Sequence, residues 1–364
     1  MTTPGTQVVA AASTAVVTCP SHVGHAPSVE VQCGRAIPAF DTTARVDAIL
    51  TALAGRPEVT LTAPGSYGLA PIRRVHEAGL VEFLRTAWAS AEPPRDGIDL
   101  VFADTFFHDR LRQGMGPLTH GGGGALGRYC FDTITGVGPS TWEAAAASVD
   151  TALTAAELTL RGAPLAVGLC RPPGHHVGPE LFGGGCYLNN AGIAAQWLRD
   201  GGVSRVAVLD LDFHHGNGTQ ALFYDRADVL YASLHGDPER HYPYFTGWPD
   251  ETGAGEGSGC TVNLPLPPRV GGDDYLDLLD TATGRILDGG FEAVVVSLGF
   301  DTYDGDVSGD AALTTADYRR IGRHVAGLGL PTVALLEGGY SVTVLGDNLW
   351  SWIEGFRAEQ GERP

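Results

Sequence analysis

The chain has 364 residues, of which 43% are hydrophobic and 18% charged, enough apolar material for a sizeable core and too little charge for a disordered chain. A formal net charge of −19 repels nucleic acid and attracts cationic small molecules or basic segments. All 23 basic residues are arginine, which excludes a Schiff-base lysine, a phosphate-loop lysine and a serine–lysine pair.

Residues 1–20 are mildly apolar, with no basic n-region and an early Pro4. They read as a flexible lead-in, not a signal peptide, to a single domain over 21–364. No run approaches the roughly 18 apolar residues needed to span a bilayer, so no membrane association is expected. Helical patterns follow at 42–54 and 78–90. An alanine-rich helix is expected at 140–161, with Ser140 as N-cap. From there, short apolar runs at 165–169, 206–209, 229–234, 293–298 and 332–336 read as buried strands. Helical stretches at 190–199, 273–287, 315–328 and 344–356 lie among or after them. This alternation predicts an α/β protein with a parallel sheet covered by helices on both faces. The six cysteines, Cys19, Cys33, Cys130, Cys170, Cys186 and Cys260, contain no C-x-x-C pair. They read as mostly buried free thiols of a cytoplasmic protein.

Each predicted strand is followed by a polar cluster. These are 171–176, 210–215, 233–237, Asp301 and 337–340. Open α/β sheets bind ligands at the carboxyl ends of their strands, so five clusters would meet on one rim. Asp212 and His214 alternate at a strand end and point the same way. With Asp301 they make a three-ligand zinc site whose open position would hold an acidified water. His175 and His176, after Arg171-Pro172-Pro173-Gly174, suit acid–base work beside it. Tyr340, after two glycines, can donate to a developing oxyanion. Two patterns are set aside. The glycine-rich stretch 253–259 does not join a strand to a helix start and has no lysine. The acidic run 301–310 has the wrong spacing for a calcium loop.

In this order, R-P-P-G-H-H (171–176), G-C-Y-L-N-N (185–190), D-L-D-F-H-H-G-N-G-T-Q (210–220), S-L-H (233–235), S-L-G-F-D (297–301) and E-G-G-Y (337–340) resemble the histone deacetylase superfamily. V-H-E-A-G (75–79), F-L-R-T-A-W (83–88), S-T-W-E-A-A (140–145) and L-H-G-D-P (234–238) favour its bacterial acetylpolyamine amidohydrolase branch. The resemblance covers nearly the whole chain. It implies the arginase–deacetylase fold, a single parallel eight-stranded sheet flanked by helices on both faces. It assigns Asp212, His214 and Asp301 to zinc, or to ferrous iron in the cell. It makes His176 the general base, with Asn217 as its partner, and His175 an electrostatic neighbour paired with Asp210. Tyr340 would polarise the scissile carbonyl. A structural potassium is implied near Asp210, Asp212, His214, Ser233 and Leu234. Phe300, Gly339, Ser308, Tyr242 and Gly185 would lie along the substrate tunnel. The branch also implies a homodimer formed through a loop like 104–128.

The departures from the family concern substrate. An aromatic usually precedes the cysteine of G-C-Y and forms one tunnel wall; here it is Gly185. The opposite wall is retained as Tyr242. The acidic residue that meets a polyamine's ammonium is expected near 120–124, which is His-Gly-Gly-Gly-Gly. Ser308 stands where histone-directed members carry leucine or methionine. The resemblance implies a deacetylase for a small-molecule N-acyl amine, acetylpolyamine-like or a bulkier metabolite, and these changes predict one bulkier or less cationic than a linear polyamine. The alternative is a protein acetyl-lysine deacetylase. A two-manganese ureohydrolase fits the single-metal pattern less well. A noncatalytic binder would be expected to have lost a ligand, His176 or Tyr340, and none is lost.

Overall fold

The computed structural model describes residues 13–91, 99–113 and 124–361. Its centre is a sheet of eight parallel strands: β1 (Thr14–Val17), β4 (Val59–Thr62), β5 (Leu165–Gly168), β6 (Val206–Asp210), β7 (Val229–Gly236), β8 (Thr261–Leu266), β9 (Ala293–Leu298) and β10 (Thr332–Leu336). Their order across the sheet is β4-β1-β5-β10-β9-β6-β7-β8. An antiparallel hairpin of β2 (Val29–Gln32) and β3 (Arg35–Pro38) stands apart from it.

Alternate residues of each strand face opposite layers. Val16, Val167, Leu209, Val296 and Ala334 pack with α1 (Ala44–Leu53), α7 (Gly272–Asp288), α8 (Thr315–Gly327) and α9 (Val342–Gly361). Val17, Ala166, Val208, Val295 and Leu335 pack on the other face with α4 (Thr141–Leu160) and α5 (Asn190–Asp200), where alanines let the helices approach closely. A third cluster joins α2 (Ala78–Ser90) and α4 to Phe182, Cys186 and Tyr187, and so supports the loop before α5. Two short helices, α3 (Ala125–Tyr129) and α6 (Asn217–Phe223), flank the rim.

The five strands expected from apolar runs are five adjacent ones, β5-β10-β9-β6-β7. Those missed occupy the margins. β4 is partly exposed and β8 carries Pro265, as edge strands tolerate. The expectation of a flexible segment up to residue 20 fails at β1, which pairs with both β4 and β5 and buries Val16 and Val17 completely. Four residues with one polar member were too short a signal. Residues 1–12 lie outside the described residues. Among the described residues, no helix is long and apolar enough to cross a membrane. All six cysteines are unpaired, and Cys130, Cys170 and Cys186 are buried.

Candidate active site

Because β5, β10, β9, β6 and β7 are neighbours, the segments leaving their carboxyl ends converge. The ligand atoms of Asp212, His214 and Asp301 lie within 4.8 Å of one another. His214 Nδ1 is 3.0 Å from Asp301 Oδ2 and 3.3 Å from Asp212 Oδ1. The backbone fixes the two carboxylates: Phe213 N–H donates to Asp301 Oδ1 at 2.8 Å, and Gly338 N–H to Asp212 Oδ2 at 2.7 Å. Both aspartates are fully buried. Burial and the charge of Asp212 push the Asp301 carboxyl up. Burial opposes a charge on His214, yet bonds to Asp212 and Asp301 raise its pKa to about 10. Two buried carboxylates and one imidazole with their ligand atoms converging on one point are a donor set that fits a divalent metal.

His175 and His176 lie beside this cluster, ring centroids 4.0 Å apart. His175 Nδ1 is 3.2 Å from Asp210 Oδ2, which also accepts from the Tyr231 hydroxyl at 3.1 Å. His176 Nδ1 donates to Asn217 Oδ1 at 2.8 Å, which leaves its Nε2 lone pair free. Burial, reinforced by His175 and His214, pushes the pKa of His176 well down, so it is neutral. The close fit depends on glycine: a Cβ on Gly184, whose φ is +62°, would fall 2.1 Å from the His176 ring. Glu337 braces the segment that carries the two histidines, accepting from Gly174 N–H at 2.7 Å and His175 N–H at 3.2 Å. Its neighbours His175 and Cys186 form a second buried group, but burial raises the Cys186 thiol well up and leaves it a poor metal ligand.

The Tyr340 turn is held from two sides. Tyr340 and Ser341 N–H groups both donate to Asp306 Oδ2 at 2.8 Å. The buried Arg45 donates to the carbonyls of Gly339 and Glu337, and its guanidinium lies 4.9 Å from the Tyr340 ring centroid. Burial raises the Tyr340 pKa well up, so the phenol keeps its proton.

A cavity of about 790 Å³ opens above these groups. Its lining includes Glu30, Phe131, Asp132, His176, His214 and Tyr340. Of the residues expected along the tunnel, Gly185, Tyr242 and Ser308 line it. Phe300 does not. It is 1% exposed and packs edge-on against Tyr318 in the core, with centroids 5.0 Å apart. Gly339 lies behind the wall: its φ is +110°, and a Cβ there would meet Phe300 at 2.7 Å. Both are corrections to the sequence reading, for the chain turns inward at Phe300 to aim Asp301. Ser233 and Leu234 are buried on β7, with Ser233 Oγ 2.8 Å from His235 Nδ1. Glycines 121–123, and 114–123 of the expected dimer loop, lie outside the described residues.

Glu30, Asp306, Arg45, Tyr231 and the 131–132 pair were not anticipated. Asp306 sits within the acidic run set aside as a failed calcium loop. Glu30 lies on the hairpin, far in sequence from every motif. Burial raises its pKa, and among the described residues its oxygens accept from Gln32 Nε2 at 2.6 Å and Phe40 N–H at 3.2 Å.

Fold and site together define an amide-bond hydrolase of the deacetylase class. The chain belongs to the histone deacetylase domain family, which residues 40–356 match. It is 44% identical over 335 residues to acetylpolyamine amidohydrolase 1 of Pseudomonas aeruginosa, covering 92% of this chain and 96% of that one. It is 40% identical over 333 residues to the acetylpolyamine amidohydrolase of Mycoplana ramosa, covering 90% and 94%. The crystal structure of acetylpolyamine aminohydrolase from Burkholderia pseudomallei shares its fold with a TM-score of 0.90 at 38% identity, covering 95% of this chain and 99% of that one. The sheet with its covering helices is the arginase–deacetylase fold.

Proposed function

We propose that the protein is a zinc-dependent amidohydrolase that removes the acetyl group from the nitrogen of a small-molecule amine. The observation that carries this reading is His176, neutral and held by Asn217, beside the Asp212–His214–Asp301 cluster. A zinc ion bound by those three residues supplies Lewis acidity toward the amide carbonyl and toward water. Asn217 keeps the His176 proton on Nδ1, so Nε2 accepts the proton of the attacking water and then returns it to the departing amine nitrogen. His175, held by Asp210 through its Nδ1 at 3.2 Å, is the electrostatic neighbour of His176. The Tyr340 hydroxyl donates to the carbonyl oxygen as negative charge develops there. Acetate and the free amine leave.

The same proposal includes a structural potassium near Asp210, Asp212, His214, Ser233 and Leu234, supported by the complete burial of both aspartates. It includes a homodimer through the 104–128 region, and a reducing, cytoplasmic setting that suits six unpaired thiols.

The amine is wider than a linear polyamine. A Cβ on Gly185 would meet nothing within 4 Å, which leaves one side of the cavity open. Glu30 returns a carboxylate to the wall without a cationic partner among the described residues, so width rather than neutrality sets the preference. The test is acetate release by the zinc-loaded protein from acetylputrescine and acetylcadaverine against branched or cyclic N-acetyl amines. Faster release from the wide amides is expected. Far faster release from the linear ones would overturn the preference, and release from none would overturn the activity.

A further inference from the structure

The wall opened at Gly185 has a neighbour that no motif predicted. Phe131, on the segment between α3 and α4, stacks with Tyr242, ring centroids 6.2 Å apart and planes 18° from parallel. The Phe131 ring also rests on the glycine loop, where a Cβ on Gly183 would fall 2.5 Å from its ring carbons. Glycine at 183 therefore makes room for phenylalanine at 131. Tyr242 in turn meets the catalytic base, its ring perpendicular to that of His176 with centroids 5.0 Å apart.

Asp132 holds this arrangement together. Its Oδ1 accepts from the N–H groups of Ile134 and Thr135 at 3.0 Å, closing a tight turn. Its Oδ2 accepts from Gly184 N–H at 2.5 Å and from the Tyr242 hydroxyl at 2.7 Å. Thr135 Oγ1 accepts from Gly185 N–H at 2.9 Å. One carboxylate thus ties the glycine loop to the tyrosine wall. That explains tyrosine at 242, since phenylalanine would leave the bond unmade.

Building on the N-acyl-amine reading above, we propose that Phe131 is a specificity-determining residue. It supplies, from a different loop, the aromatic surface absent at position 185, and Asp132 is the positioning residue that holds it beside Tyr242. The apolar stem of the amine runs along the two rings. The open side at Gly185 takes a substituent branching from that stem. The substrate class is an N-acetyl amine with a methylene stem and a branch.

The experiment compares N-acetylhexylamine, a branched analogue and N-methylacetamide, whose methyl group is too short to reach the rings. Phe131→Ala is expected to raise KM for both long amides about tenfold, the worth of roughly two methylenes of contact, with kcat within about twofold. N-methylacetamide is expected to show unchanged kcat/KM. Asp132→Asn and Tyr242→Phe should each raise KM in the same direction, Asp132→Asn the more because its Oδ2 also accepts from Gly184 N–H, and the double variant should lose less than the sum of the two because they share the Tyr242 bond. Gly185→Phe, strained at φ +71°, should slow both amides but cost the branched one more than the straight one. Phe131→Leu, which keeps apolar bulk without the ring, replaces Phe131→Ala if the latter does not fold. An unchanged KM, or an equal loss on N-methylacetamide, overturns the assignment while the activity stands. No acetate from any of the three amides with the wild-type protein overturns the amidohydrolase reading and this one with it.

Discussion

The floor of the cavity and its walls follow different rules. Floor residues leave five adjacent strands, and Asp210, Asp212, Asp301 and Glu337 are all fully buried with specific donors. The walls come from separate loops: the β2–β3 hairpin (Glu30), the 131–135 turn, the glycine loop 183–185 and the Tyr242 segment. Moving a strand end would break sheet pairing on both sides, whereas a wall residue can be exchanged for one from another loop. Chemistry is therefore anchored in the sheet, and selectivity is delegated to segments that can change without disturbing it.

If that division holds, changes to the floor lower kcat and changes to the walls raise KM. The largest effect belongs to Tyr340→Phe. Turnover should fall by about 10²-fold or more with metal still bound, as loss of one oxyanion donor does elsewhere. Near-normal turnover would remove Tyr340 from the mechanism. A smaller loss is expected for Asp306→Ala, which touches no substrate but frees the Tyr340 turn. A fall in kcat of about tenfold, largely restored by Asp306→Asn, is the expected pattern. A change in KM alone would instead place Asp306 with the walls.

The smallest effect concerns the scaffold beneath the glycine loop. Buried His76 donates from Nδ1 to Gly178 O at 2.8 Å and accepts from Asn189 N–H at Nε2 at 2.9 Å, so it is locked neutral. Burial lowers its pKa from 6.5 to about 4. The unfolded chain binds this proton below about 6.5 and the folded chain only below about 4. Stability is therefore unaffected above 6.5 and falls as pH drops between the two. The gap limits the contribution to about 3 kcal/mol. Urea unfolding at pH 7.5 and 5 should show a smaller loss for His76→Gln than for the wild type, with catalysis at neutral pH little altered. An identical pH dependence would show that His76 is protonated in the folded state too.

Most of the floor was legible because its residues sit within short contiguous motifs at the ends of strongly apolar strands. Asp212 and His214 are two residues apart, and Glu337 and Tyr340 three. The walls were legible only where they adjoin such motifs, as Gly185 does. Glu30, Phe131 and Asp132 reach the cavity through loop geometry and a hairpin, which no periodicity records. Phe300 was misplaced for the opposite reason: adjacency to Asp301 suggested the tunnel, but successive side chains at a strand end point to opposite sides. The marginal strands were missed because β1 and β4 have only four residues each and β4 is partly exposed, so neither leaves a clear apolar run.

The proposed chemistry depends on one divalent metal held by Asp212, His214 and Asp301. Its most direct test is to strip the protein with a chelator and follow bound zinc and acetate release together as zinc is returned. Activity is expected to be lost on stripping and to return in step with one zinc per chain, and His214→Ala is expected neither to retain the ion nor to recover. Acetate release that survives complete metal removal, or full recovery of His214→Ala, would contradict it.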